Sequence, residues 1–388
     1  MAQKCDAALI NLIYMKHAFL NQSFTERSTF ILFPILIISL LQLTSCRRDD
    51  PAIHDYRKVQ PRGSKPVWGP TIAPQMQTVI ETLDTISPTP LQTLTPAQAR
   101  MQKSPADAVM QVMRNFVIYA PLVKVDTVGK EIPVTIGSSS IHARIYTPKT
   151  GRTSYPVIVY YHGGGWVIAT IDTYNASAQA LAEQVDAIVV SVEYRKGPEF
   201  KFPTAHSDAF DAYKWTIQNA SSFNGDSTKM AVVGESAGGN LAINTSIMAR
   251  DMGIRKPLFQ LAVYPIANGD FNSTSYNLYA SAKPLNKPLM QWFFNYYLNN
   301  PSEITDPRIS LVNANLVGLP STLILGAEID PLQTEGRLLA DKLLAAGVNT
   351  TYILFTGVTH EFFGMTPVVP EARDAQVIVA NQLKNAFK

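Results

Sequence analysis

Six short apolar runs punctuate the middle and end of the chain: PVIVYYH (156–162), AIVVSVEY (187–194), KMAVVG (229–234), LFQLAVYP (258–265), STLILGAEID (321–330) and TYILF (351–355). They are rich in β-branched and aromatic residues, so each reads as a strand buried on both faces. Helix-like stretches lie between or after them, at 174–185, 204–219, 236–252, 333–346 and 370–387. Buried strands alternating with helices predict an α/β fold with a mostly parallel sheet flanked by helices. Ahead of them, VKVDTV, IPVTI and IHARIYTP within 122–147 predict antiparallel edge strands.

Two segments interrupt the alternation. Residues 72–119 are helical in pattern and are broken by Pro90 and Pro96. Thr95-Pro96-Ala97-Gln98 predicts a helix start, with Thr95 as N-cap and Pro96 in the first turn. Residues 268–304 are aromatic and helical in character and fall between two strands, as an insertion over one edge would. Together the two segments are expected to cap the C-terminal ends of the strands, where open α/β sheets hold their sites. No internal repeat and no second comparable core is present, so residues 71–388 read as one domain.

Composition narrows the function. Apolar residues make up 46% and charged residues 16%, which suits a large core. The net charge of +3 is spread without a basic stripe, so nucleic acid is a poor partner. The two cysteines, Cys5 and Cys46, lie near the N-terminus and make neither a disulfide framework nor a zinc site. The six histidines show no ligand spacing. No metal and no cofactor is expected.

The first residues read as an address. FILFPILIISLL (30–41) has the size of a signal-peptide core, with Lys16 and Arg27 before it and Leu43-Thr44-Ser45-Cys46 after it. That ending resembles a bacterial lipobox, in which the cysteine is lipidated and becomes the first mature residue. Residues 1–45 are thus expected to be a lipoprotein-type signal peptide with lipid on Cys46; the alternative is an ordinary signal peptide. The apolar core begins far into the chain, so Met15 is a candidate start. The charged, proline-bearing residues 46–70 read as a tether of about 25–30 Å. The expectation is an exported, membrane-anchored bacterial lipoprotein on the periplasmic or cell-surface side.

Candidate chemistry centres on Gly234-Glu235-Ser236-Ala237-Gly238-Gly239. A serine between glycines can be a nucleophile or part of a plain glycine-rich loop. Here a predicted strand precedes it and a predicted helix follows, which is the context of a nucleophile elbow. His162-Gly163-Gly164-Gly165-Trp166 follows another strand and could aim bare N–H groups at an oxyanion; a phosphate-cradling loop would need a GK[ST] or G-x-G-x-x-G pattern. A serine nucleophile needs a base oriented by a carboxylate. After Ser236 the only histidine is His360. Asp330 ends a predicted strand; Glu328, two residues earlier, shares its side by alternation and is the second candidate.

Together these stretches resemble the hormone-sensitive-lipase-like family of α/β-hydrolases, a group of carboxylesterases. HGGGW is similar to the family's H-G-G-G, YRKGPEFKFP (194–203) to Y-R-L-A-P-E-x-x-F-P, and GESAGGN to G-D-S-A-G-G-N. DPLQTEG (330–336) is similar to D-P-L-R-D-E-G, and THEFFG carries the histidine. Lys196, Gly197 and Glu235 depart from the pattern. The resemblance implies an α/β-hydrolase fold with a helical cap. It implies Ser236 as nucleophile, His360 as base and Asp330 as its orienter. It also implies Gly163, Gly164 and Ala237 as oxyanion donors.

The expected activity is hydrolysis of short- to medium-chain acyl esters through an acyl-enzyme. A carbohydrate acetylesterase, an amidase or a peptidase on the same fold is the alternative. A non-catalytic small-molecule binder is a further one, against which His360 speaks. The expected partners are an ester substrate and a membrane reached through Cys46. The insertion aromatics Trp292, Phe293, Phe294, Tyr296 and Tyr297 either line an acyl pocket or pack the cap, and packing is the expectation for most of them.

Overall fold

The six apolar runs form six neighbouring strands of one eight-stranded sheet, in a computed structural model that describes residues 56–119, 123–137 and 139–388. The strands are β1 (Val125–Pro133), β2 (Ser140–Pro148), β3 (Tyr155–Tyr161), β4 (Ile188–Glu193), β5 (Gly225–Glu235), β6 (Phe259–Val263), β7 (Ser321–Ile329) and β8 (Thr350–Thr359). Their spatial order is β1-β2-β4-β3-β5-β6-β7-β8. β1 and β2 form the expected antiparallel edge, and the other strands run parallel. Every residue of β3 and β6 is buried, as helices on both faces require.

Helices α1 (Pro74–Ile86), α2 (Pro96–Ala99) and α3 (Pro105–Asn115) precede the sheet. α4 (Asn175–Val185), α5 (Thr204–Asn219) and α6 (Ala237–Asp251) follow β3, β4 and β5. α7 (Thr274–Leu278) and α8 (Lys287–Tyr297) lie in the insertion after β6, and α9 (Gln333–Ala345) and α10 (Pro370–Ala386) follow β7 and β8. α2 begins as predicted: the Thr95 hydroxyl accepts from the Gln98 N–H, and the Gln98 side chain accepts from the Thr95 N–H.

The last strand is longer than its apolar run. The polar residues after Phe355 hide the continuation in the sequence. Gly357, at φ 75°, breaks the register between Ala327 and Ile329, after which Ile329 pairs with Thr359. The pairing resumes just before the chain reaches Asp330 and His360.

The two cap segments are joined to each other and to the sheet. Trp292 Nε1 donates to the Leu94 carbonyl at 3.0 Å, and Lys283 pairs with Asp84 at 2.7 Å. Arg100 reaches the carbonyls of Val167 (2.8 Å) and Gly197 (2.6 Å) and the carboxylate of Glu199. A Cβ at Gly197 would stand 2.9 Å from the Tyr296 carbonyl, so this departure from the family pattern lets the end of α8 pass close by.

The expected tether needs correction over its second half. Residues 56–70 are docked onto the domain: the Tyr56 hydroxyl donates to the Thr366 carbonyl at 2.9 Å, and Val59 is buried. The N–H groups of Arg62 and Gly63 donate to Glu81. A segment without an apolar period can still dock through its backbone donors when a carboxylate meets them. The predicted signal peptide, Cys46 and residues 46–55 lie outside the described residues. Among the described residues no helix is long and apolar enough to cross a membrane.

Candidate active site

Ser236 sits between the last residue of β5 and the first of α6, at φ 56° and ψ −119°. Such a backbone costs an L-residue about 1–3 kcal/mol and persists only where neighbours enforce it. Here the Ser236 N–H donates to the Val263 carbonyl at 2.8 Å, and the Ile266 N–H donates to the Ser236 carbonyl at 3.3 Å. The turn is too tight for side chains on either flank. A Cβ on Gly234 would meet the Gly238 carbonyl oxygen at 2.0 Å, and one on Gly238 would meet the Tyr161 carbonyl oxygen at 2.0 Å.

The structure brings Ser236, His360 and Asp330 together. The Ser236 hydroxyl donates to His360 Nε2 at 2.9 Å, and His360 Nδ1 donates to Asp330 Oδ2 at 2.6 Å. The other Asp330 oxygen accepts from the Leu332 N–H at 2.9 Å. All three side chains are buried. Burial alone would push the imidazole pKa down; the Asp330 carboxylate, with Glu361 and Glu235 behind it, reverses this and holds His360 above its ordinary value. The alternative acid, Glu328, is turned elsewhere and accepts from the Gly357 N–H at 2.6 Å.

The glycine run leaves the sheet beside this serine, because Tyr161 at the end of β3 pairs with Gly234 on β5. Among the described residues no acceptor engages the N–H groups of Gly163, Gly164 or Ala237. The preceding His162 is a neutral spacer: burial drives its pKa down to about 4, and its ring stacks on Tyr194 at 4.2 Å. Lys196 pairs with Glu193, whose other oxygen accepts from the Ile171 N–H at 2.8 Å. That departure thus braces the loop after the glycines.

A cavity of about 210 Å³ opens over Ser236 and His360. Both cap segments line it: Leu83 and Leu91 come from the first, Leu285, Leu289 and Phe293 from the insertion. Of the five insertion aromatics only Phe293 lines this cavity. Trp292, Phe294 and Tyr297 are buried in the cap, as packing requires.

The sequence reading assigned no part to several residues around the triad. Glu235 is fully buried and accepts from the hydroxyls of Tyr160 and Tyr264, each at 2.5 Å. Burial first, and the nearby Glu361 second, push its pKa up to about 7. The Tyr264 ring lies 4.4 Å from the His360 ring. The Asn240 amide donates to the carbonyls of Ile266 and Ile309, both at 3.0 Å, and so ties the elbow helix to both ends of the insertion. Glu235 and Asn240 stand within the GESAGGN stretch, but that stretch does not show what they hold, since their partners are distant in the chain. Among the described residues no cluster could hold a metal ion.

A profile of the alpha/beta hydrolase fold matches residues 158–364. Carboxylesterase NlhH of Mycobacterium tuberculosis is 37% identical over 244 residues, which is 62% of this chain and 76% of that protein. An ethyl acetate hydrolase of Pseudomonas putida is 32% identical over 249 residues, 63% of this chain and 78% of that one. A solved esterase of Pyrobaculum calidifontis superposes with a TM-score of 0.70 at 35% identity, covering 76% of this chain and 95% of its own.

Proposed function

This chain belongs to the hormone-sensitive-lipase-like carboxylesterases of the α/β-hydrolase fold, and from that premise we propose that Ser236, His360 and Asp330 cleave short- to medium-chain acyl esters through an acyl-enzyme. The observation that carries the assignment is the unbroken relay from Ser236 Oγ through His360 to Asp330, at 2.9 and 2.6 Å. Ser236 Oγ attacks the ester carbonyl carbon as its proton passes to His360 Nε2. The carbonyl oxygen becomes an oxyanion, which the N–H groups of Gly163, Gly164 and Ala237 receive; one such donor is worth about 3–4 kcal/mol in the transition state. The tetrahedral centre collapses, the C–O bond to the alcohol breaks, and His360 returns the proton to the leaving oxygen. Water then repeats the sequence on the acyl-serine, with His360 as base, and releases the acid.

Buried Asp330 fixes the imidazole tautomer and stabilises the imidazolium. The modest cavity and its apolar wall favour short to medium acyl groups. The ethyl acetate hydrolase among the relatives is consistent with the short end of that range. A fluorophosphonate probe tests the assignment. It should label wild-type Ser236 and not Ser236→Ala, and the variant should lose turnover of p-nitrophenyl esters while melting normally. Substantial turnover by Ser236→Ala would refute the role.

We further propose that the protein is an exported lipoprotein held at a membrane by lipid on Cys46. The support is the apolar core over 30–41 followed by Leu43-Thr44-Ser45-Cys46. Two or more acyl chains would anchor it stably. Cys46→Ser should move the protein from the membrane fraction to the soluble one; retention in the membrane fraction would refute the anchor.

A further inference from the structure

The oxyanion glycines and the base lie on different loops, and one hydrogen bond joins those loops. Tyr174 precedes α4 and is buried. A Cβ built on Gly163 would stand 2.2 Å from its hydroxyl oxygen, so that hydroxyl lies directly against the Gly163 backbone. The same hydroxyl donates to Glu361 Oε1 at 2.6 Å. Glu361 immediately follows His360 and takes φ 72°, a left-handed conformation that a non-glycine residue keeps only where its surroundings hold it. Tyr174 and Glu361 both border the cavity over Ser236. The catalytic relay uses neither.

We propose that Tyr174 and Glu361 form a positioning pair, whose hydrogen bond sets the place of the Gly163 N–H relative to the imidazole of His360. The proposal rests on the esterase reading above. An oxyanion donor acts only where the charge develops, so its aim matters more than its presence. A displacement of about 1 Å can cost on the order of a hundredfold in rate. The charge is absent from the bound ester, so slack in this bridge lowers kcat and leaves KM in place. A carboxylate that instead held the alcohol part of the substrate would show its loss in KM.

The test uses the full chain with p-nitrophenyl butyrate. It also uses an aryl trifluoromethyl ketone, whose carbonyl adds the serine oxygen to give a hemiketal oxyanion in the same hole. Tyr174→Phe keeps the ring and removes the donor; Glu361→Ala removes the acceptor. Each should lower kcat by roughly tenfold, with KM within about twofold and near-normal melting. The ketone's inhibition constant should weaken by the same factor as kcat falls. Glu361→Gln keeps an acceptor oxygen and should restore most of the lost kcat. The double variant should be no worse than the poorer single one, because both cut the same bond. A folded Tyr174→Phe with kcat and ketone affinity within twofold of wild type would overturn the proposal, and so would multiplying losses or a loss confined to KM. Wild-type protein that turned over no ester would sink the esterase reading and this proposal with it. Active wild type with unaffected variants would sink the proposal alone.

Discussion

Ile329 and Thr359 are paired neighbours on β7 and β8, and the residue after each is a member of the relay, Asp330 and His360. The sheet register, rather than either loop, thus sets the 2.6 Å contact between carboxylate and imidazole. Burial pushes the imidazole pKa down, and Asp330 reverses the shift, so His360 titrates above its ordinary value. Ester attack needs neutral His360. The acidic limb of kcat/KM should therefore lie above the usual histidine value of about 6.5. Asp330→Asn should lower kcat by about 10³–10⁴ and move that limb to lower pH, since burial would then be opposed only by the more distant Glu361 and Glu235. A pH–rate profile of both proteins checks this; a limb that stays in place would show that Asp330 does not set the imidazole.

The elbow should separate strain from clash. Ser236 holds φ 56°, which glycine adopts freely. Ser236→Gly should thus abolish activity yet raise stability by about 1 kcal/mol. Gly238→Ala should do the opposite to the fold, because its Cβ would meet the Tyr161 carbonyl at 2.0 Å and backbone cannot swing aside. A loss of about 3 kcal/mol or more is expected. Denaturant melts of the two variants would decide; equal and small effects would mean that the turn is slack.

Much of this site was legible because its chemistry is local. The glycines that close the elbow and the order of serine, acid and histidine are written in short stretches. Helix boundaries such as Thr204–Asn219 were legible because apolar runs and helical stretches alternate cleanly. Long-range contacts were not. Strand alternation alone left Asp330 and Glu328 both open; the strand's end and the family resemblance favoured Asp330, and the contact that occupies Glu328, the Gly357 N–H, had no trace in the sequence. Glu235 shows in the sequence only as a departure from the family pattern, because its tyrosine partners lie 75 and 29 residues away. The docking of residues 56–70 was missed because it uses backbone donors, which any residue supplies.

Phe293 should set acyl length. It is the insertion aromatic that borders the cavity, opposite the glycine loop, where its ring fills the space a Cβ on Gly165 would need. Phe293→Ala should move the kcat/KM optimum to acyl chains longer by about two or more carbons, each buried CH₂ being worth about 0.8 kcal/mol. Trp292→Ala should leave the optimum in place and lower stability by about 3 kcal/mol, since that ring is buried and its N–H holds Leu94. A p-nitrophenyl ester series from acetate to decanoate reads both; an unmoved optimum in Phe293→Ala would mean that this ring packs the cap and does not meet the acyl chain.

Glu235 should make stability fall as pH rises from about 4.5 to about 7. Burial and the neighbouring Glu361 raise its pKa in the folded protein from the ordinary 4.5 to about 7. Between those values the folded state holds a proton that the unfolded state has released. Unfolding then releases protons, and stability falls with increasing pH until it levels off above about 7. The shift corresponds to a loss of at most about 3 kcal/mol across that window. Glu235→Gln cannot ionise, and its amide can still meet the hydroxyls of Tyr160 and Tyr264. Its stability should be flatter with pH, below wild type near pH 5 and level with or above it near pH 8. Urea melts of both proteins at pH 5, 6, 7 and 8 measure the difference. Parallel curves would mean that Glu235 is already ionised at pH 5 and that its two tyrosine hydroxyls outweigh the cost of burying the charge.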